Sequence, residues 1–282
     1  MSPIRYVSPP RPADINYDEA RVAPYVLPDV LVASDGTRID SADAWRTRRR
    51  PELLELFSRI VYGRTPPAVP VRVATTSADE PASFGFVTRR ELDVVVGEGP
   101  TSAVLRVLVF RPREARGPVP AFLGINLLGN HTVHPDPRIR LATGWVPHSP
   151  ECGVFDHEAT DASRGMHARR WPVELLAAAG YALVTVYAGD IDPDHPYPRE
   201  SGVRYALRDA LAPEGPDAWG CIGAWAYGLS RVLDALERLP EIDASRVAVV
   251  GHSRFGKAAL WAAAQDERFA LAVASGSGCA GA

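Results

Sequence analysis

The spacing of apolar and polar positions changes twice along the chain. Residues 1–40 are rich in proline and aspartate and show little periodicity, which predicts an extended N-terminal arm. From Ser41 onward Trp45, Leu53, Leu54, Leu56, Phe57, Ile60 and Val61 recur at helical spacing, predicting a helix that ends near Gly63. Two alternating segments follow, residues 85–96 and 103–110. They are separated by the turn-like Gly97-Glu98-Gly99-Pro100 and read as half-buried strands.

The second half of the chain loses this alternation. Residues 121–128, 182–187, 246–250 and 269–274 are short, nearly continuous apolar runs, a pattern that suits strands covered on both faces of a parallel sheet. Helical patterns at 168–179, 224–239 and 255–264 fall between or after them. Strand and helix in alternation predict an α/β sheet with right-handed crossovers over residues 41–282. The connection 129–165 is rich in proline and histidine and too long to be a bare linker.

Composition adds mainly exclusions. The 282 residues are 46% hydrophobic and 23% charged, with a formal net charge of -3, so bulk electrostatics favours neither nucleic acid nor an anionic membrane as partner. The densest basic patch, Arg46, Arg48, Arg49 and Arg50, reads as a solvated helix start. There is no run of eighteen apolar residues to span a membrane. Residues 1–10 hold no apolar stretch of signal-peptide length, so the chain as written is expected to be cytoplasmic. Cys152, Cys221 and Cys279 are odd in number and without metal-ligand spacing, which predicts buried or partly buried thiols.

The chemistry concentrates at Gly251-His252-Ser253-Arg254-Phe255-Gly256-Lys257, which reads as strand, sharp turn and helix. Lys257 is the chain's only lysine among 31 Lys and Arg residues, and a lysine offers a compact, rotatable donor where arginine offers a flat fork. A serine at such a turn is either a helix N-cap or a nucleophile lifted to the top of a sheet. The usual elbow is Gly-x-Ser-x-Gly. Here the second glycine comes one residue late and Arg254 follows the serine, where it would add a charged donor to an oxyanion hole beside its own backbone N–H.

These residues resemble the glucuronoyl esterases of carbohydrate esterase family 15, bacterial branch. The resemblance rests on the block 251–257, on Trp261-Ala-Ala-Ala-Gln-Asp-Glu-Arg-Phe, on Ser277-Gly-Cys-Ala-Gly, on Trp219-Gly-Cys-Ile-Gly-Ala-Trp, and on Gly124-Ile-Asn-Leu-Leu-Gly-Asn-His. It implies an α/β-hydrolase fold and cleavage of the ester between 4-O-methyl-glucuronic acid on xylan and lignin alcohols. The route would be a glucuronoyl-serine, without metal or organic cofactor. By motif position Ser253 would be the nucleophile, Arg254 the oxyanion stabiliser and Lys257 a donor to sugar hydroxyls. Such a polysaccharide substrate would place the protein outside the cell.

In this fold the chain order is serine, acid, histidine. All seven histidines, at 131, 134, 148, 157, 167, 195 and 252, precede Ser253, and Gly276 stands where some members carry a catalytic glutamate. The expectation is therefore a chain resembling the front two-thirds of an esterase. It would lack triad acid and histidine, turn over no faster than a Ser253→Ala control, and expose an unpaired sheet edge. The rival readings are an acetyl xylan esterase type of hydrolase on the same fold and a non-catalytic carbohydrate-binding pseudoenzyme. Weaker constellations are His131, His134 and Asp136, which could be drawn as a metal site but read better as a loop bordering the pocket, and Asp190, Asp192 and Asp194, which read as a turn with helix-capping aspartates rather than a calcium loop. Trp219 and Trp225 read as core or pocket wall.

Overall fold

The structure, a computed structural model, describes residues 16–75, 77–195, 200–210, 215 and 217–278. The chain groups into two compact units, Met1–Glu52 and Leu53–Ala282. In the first, residues 16–40 have little regular structure beyond a single 3-10 turn at Glu19–Arg21 and a tight turn closed by pairing of Val32 with Arg38. The expected helix starts where Ser41 accepts a hydrogen bond from the Ala44 N–H at 3.1 Å, the ordinary N-cap contact. It runs through α1 (Ala42–Ala44), a π-helical turn (Trp45–Arg49), α2 (Arg50–Phe57) and a second π-turn (Ser58–Tyr62). Gly63, at φ 82°, ends it. The arginine cluster departs from expectation at one position. Arg46 and Arg48 are exposed, but Arg49 is buried and donates to the Val30 carbonyl at 2.9 Å and to Glu52 at 2.6 Å. Once buried, a guanidinium has to find acceptors, and here the acceptors hold the arm's backbone.

The second unit is built on strands β1 (Val71–Thr75), β2 (Glu80–Ala82), β3 (Val87–Val96), β4 (Ala103–Pro112), β5 (Val119–Asn126), β6 (Val154–Phe155), β7 (Glu158–Ala159), β8 (Ala182–Tyr187), β9 (Ile242–His252) and β10 (Leu271–Ser275). Its helices are α3 (Val173–Ala178), α4 (Ala188–Ile191), α5 (Gly202–Ala206), α6 (Cys221–Leu236) and α7 (Arg254–Gln265). Apart from the β6–β7 hairpin, the strands form one mixed sheet in the order β1-β3-β4-β8-β5-β9-β10, with β2 on the same flank of β3 as β1. Pairing is antiparallel from β1 to β8 and parallel from β8 through β5 and β9 to β10. This is the α/β arrangement read from the apolar runs, with helices flanking the sheet.

Period-two alternation sends neighbouring residues of one strand to opposite faces. On β4, Leu105, Val107 and Val109 enter the main core with the apolar residues of α6 and α7. Leu108 and Phe110 face a smaller cluster with Val173 and Ala177 of α3. β8 is buried at every position because both faces are covered, which is why it reads as an unbroken apolar run. The expected helix over 168–179 is shorter, a 3-10 turn at Ala168–Arg170 followed by α3. Pro172 lacks the N–H and blocks the preceding turn.

The long connection after β5 is ordered by charge. Arg89, buried on β3, donates to Glu91 at 2.9 Å and lies 3.4 Å from Asp136. Arg140 donates to Glu91 and Asp93 at 2.9 and 2.8 Å. Such pairs contribute little net stability, but they tie the segment to β3.

β10 pairs only with β9 among the described residues, and Leu271 and Val273 on it are 55% and 42% exposed. Among the described residues this side of β10 is unpaired, and an unpaired apolar edge templates strand addition. Val273→Lys is expected to lower self-association in sedimentation velocity, while the unfolding free energy stays within about 0.5 kcal/mol of the parent.

Candidate active site

The carboxyl ends of the parallel strands lie along one edge of the sheet, where open α/β sheets place their ligands. At that edge β9 turns into α7 through Ser253, which adopts φ 56° and ψ -127°. A non-glycine residue rarely holds positive φ, and the cost is about 1–3 kcal/mol unless neighbours enforce it. Here they do. The Ser253 N–H donates to the Ser275 carbonyl at 2.9 Å, continuing the pairing of His252 with Ser275, and the Ser253 carbonyl accepts from Gly256 and Lys257 to open the helix.

Two glycines make the turn possible. A Cβ on Gly251 would lie 2.1 Å from the Phe255 carbonyl oxygen, and one on Gly256 would lie 2.1 Å from Ser277 Oγ. Gly256 therefore fills the place of the usual second glycine although it comes one residue late. The extra residue, Phe255, turns its ring edge-on to Trp225 at 5.0 Å. Ser253 forms no side-chain cap hydrogen bond and is exposed, which removes the N-cap reading. The conformation matches the strained strand-to-helix turn that presents a nucleophile.

Arg254, first residue of α7, bonds through Nη1 to Asp194, and its Cζ lies 5.8 Å from the centre of the Trp225 ring. Trp225 is itself fixed, because its indole N–H donates to the Ala188 and Asp192 carbonyls at 3.2 and 3.0 Å. Lys257, half-buried and one helical turn from the serine, forms no ion pair among the described residues.

The acidic loop after β8, read as a turn with helix-capping aspartates, is instead spent on arginines. Asp190 accepts from Arg106 Nη1 at 2.9 Å and from its backbone N–H at 3.1 Å. Asp192 pairs with Arg204, and Asp194 with Arg254. Burial raises the Asp190 carboxyl from 3.8 to about 6, against the pull of Arg106. Sequence reasoning missed these pairings. The only signal was the alternate-residue spacing of the aspartates.

The histidine loop likewise resolves into separate contacts. His131 is fully buried with Nε2 2.8 Å from Ser163 Oγ, and burial lowers its pKa to about 4, so it stays neutral. His134 Nε2 lies 2.9 Å from Ser83 Oγ, and Asp136 is taken by Arg138. Asn126, the last residue of β5, holds this loop at the site edge, donating to Asn130 and Thr185 at 2.6 and 2.9 Å and accepting from the Gly129 N–H. The His252 ring packs over Gly276, whose added Cβ would meet it at 3.0 Å. Trp219 and Trp225 are both buried in the main core. Cys152 and Cys221 are half-buried free thiols, and Cys279 lies outside the described residues. Among the described residues no three His, Cys, Asp or Glu side chains converge as metal ligands, and no helix is long and apolar enough to cross a membrane.

Gly251→Ala is expected to cost at least about 2 kcal/mol in urea unfolding, since the clash is with backbone. Asp190 titrates higher folded than unfolded, so it binds its proton more tightly in the fold. Between pH 4 and 6 its contribution to stability falls as pH rises. Relative to Asp190→Asn, the parent is expected to lose on the order of 2 kcal/mol of unfolding free energy across that window.

Comparison with known proteins places the whole chain among esterases. A family model described as glucuronyl esterase, fungi, matches residues 175–282. A carbohydrate esterase from an unknown prokaryotic organism is 42% identical over 274 residues, covering 96% of this chain and 63% of that protein. The 4-O-methyl-glucuronoyl methylesterase of Cerrena unicolor is 25% identical, covering 94% and 44%. Among solved structures, a promiscuous esterase of carbohydrate esterase family 15 from a marine bacterial metagenome superposes with a TM-score of 0.84 at 42% identity, covering 94% of this chain and 66% of that one. The glucuronoyl esterase from Solibacter usitatus superposes at 0.80 with 38% identity, covering 90% and 64%. The chain thus spans about two thirds or less of the length of the relatives it matches. Together with the α/β-hydrolase fold and the serine elbow, these likenesses show that the chain belongs to the glucuronoyl esterase family, carbohydrate esterase family 15, in its bacterial branch.

Proposed function

We propose that this chain carries the nucleophile and oxyanion side of a serine-dependent hydrolase of glucuronoyl esters. The observation that carries the proposal is Ser253, exposed, uncapped and strained at the mouth of α7. Its hydroxyl would attack the ester carbonyl, forming a glucuronoyl-serine and releasing the alcohol. Water would then release the acid. The developing oxyanion would meet the Arg254 backbone N–H, the first of α7 and without an intrahelical acceptor, together with the guanidinium beside it. Lys257 would donate to the hydroxyls of the sugar, since the ester carries no charge for an ammonium to pair with.

The substrate class comes from the relatives, which include 4-O-methyl-glucuronoyl methylesterases and a family structure in complex with methyl 4-O-methyl-beta-D-glucopyranuronate. In the plant wall the corresponding ester joins glucuronoxylan to lignin alcohols, and that linkage is the proposed natural target. The sugar lies on the acyl side of the ester. An acetyl xylan esterase would carry it on the alcohol side, so a methyl glucuronate and an acetylated xylo-oligosaccharide separate the two chemistries.

The proposal assigns the general base to none of the seven histidines. Among the described residues none of them hydrogen-bonds the Ser253 hydroxyl, and the fold's chain order places the relay histidine after the serine. The 282-residue chain is expected to hydrolyse methyl 4-O-methyl-glucuronate no faster than its Ser253→Ala variant. In a polypeptide that also supplies the relay, Ser253→Ala should cost about 10³-fold or more in kcat. Turnover by the 282-residue chain that vanishes in His195→Ala would overturn the assignment, because His195 follows Asp194 on the loop that reaches Arg254.

A further inference from the structure

We infer that Asp194 sets the preference of this site for a neutral ester over the acid it would release; this rests on the assignment of Ser253 and Arg254 given above. The ester is neutral at the reacting carbonyl. When the acyl-serine is hydrolysed, water supplies the oxygen, the bond to Ser253 Oγ breaks, the serine regains its proton, and the sugar leaves as a carboxylate at neutral pH. That anion is formed beside Arg254 and within a helical turn of Lys257. A free guanidinium binds a carboxylate through two parallel N–H donors, a charge-assisted fork among the stronger polar contacts in proteins. Left unpaired, Arg254 would hold the product better than the substrate.

The structure shows Arg254 already engaged. Its Nη1 donates to Asp194, and Trp225 lies beside its planar group. Both partners of the ion pair are reachable by solvent, the arginine side chain being 50% exposed and the aspartate 35%. The two acidic neighbours of Asp194 are already committed elsewhere, Asp190 to Arg106 and Asp192 to Arg204. Asp194 therefore does two things through Arg254. It offsets the positive charge that would attract the product, and it occupies an edge of the fork that a second carboxylate would need. A single oxyanion needs only one or two of the five guanidinium donors and is also served by the backbone N–H, so it loses less. Asp194 is in this sense a positioning residue that tunes which charge state the site retains.

The test is calorimetric titration of the 282-residue chain at pH 7 with methyl glucuronate and, separately, with glucuronate. It requires binding only, so it does not depend on turnover. Asp194→Asn is expected to bind glucuronate about tenfold more tightly than the parent, the effect of removing one nearby like charge, while the methyl ester changes by about twofold or less. The tighter binding should weaken with added salt, and Asp194→Glu should return the acid towards its parental affinity. Thermal melts of each variant alongside the titration identify any that does not fold, and the salt and Asp194→Glu arms then carry the test. Glucuronate binding to Asp194→Asn no tighter than to the parent overturns the inference. The inference alone fails if the ester binds and Lys257→Ala weakens it while Asp194→Asn leaves the acid unchanged. If neither ligand binds the parent or any variant, the assignment of the site itself fails, and the inference with it.

Discussion

One serine held in a backbone conformation that few residues tolerate is the constraint to which its surroundings are fitted. Ser253 can keep φ 56° only because β10 accepts its N–H and because Gly251 and Gly256 let strand, helix and the segment after β10 approach within contact of one another. The strain is offset by the packing of α7, whose Ala258, Ala259, Trp261 and Ala262 are buried in the main core. Chemistry and stability thus meet in one turn. What lifts the hydroxyl clear of the sheet is also what joins β9, α7 and β10.

Around that turn the chain uses arginine as its structural cation. Guanidinium stays charged throughout the accessible pH range, so the cation of each pair is always present. The loop after β8 applies this three times in five residues, with Asp190, Asp192 and Asp194 each committed to a different arginine from a different part of the second unit. Two of these pairs stabilise the loop, and the third reaches the elbow. The loop's backbone is tied down independently by the Trp225 indole, so the position of Asp194 follows from the core.

Much of this was legible in the sequence, for identifiable reasons. β8 was placed to the residue because a strand covered on both faces must be apolar throughout, and the β3–β4 hairpin because one alternation resumes after a glycine-rich turn. The elbow was legible because strand, glycine, serine and helix leave few other conformations. What escaped was short or depended on long-range partners. β1 and β2 are brief and sit beside proline-rich segments, and α3 is cut by Pro172, whose effect outweighs the helical spacing. The burial of Arg49, the acid–arginine pairings after β8 and the Asn126 network unite residues up to 84 positions apart, as Arg106 and Asp190 are. No local pattern encodes such a partner.

The solitary lysine has a practical corollary. A lysine-specific protease has one site in this chain, after Lys257, and that bond lies inside the first turn and a half of α7. A helix must unwind locally before a protease can cut it, so the yield of that single cleavage measures how often the elbow opens. The residue that distinguishes this turn in the sequence also makes it an intrinsic gauge of the turn's own integrity.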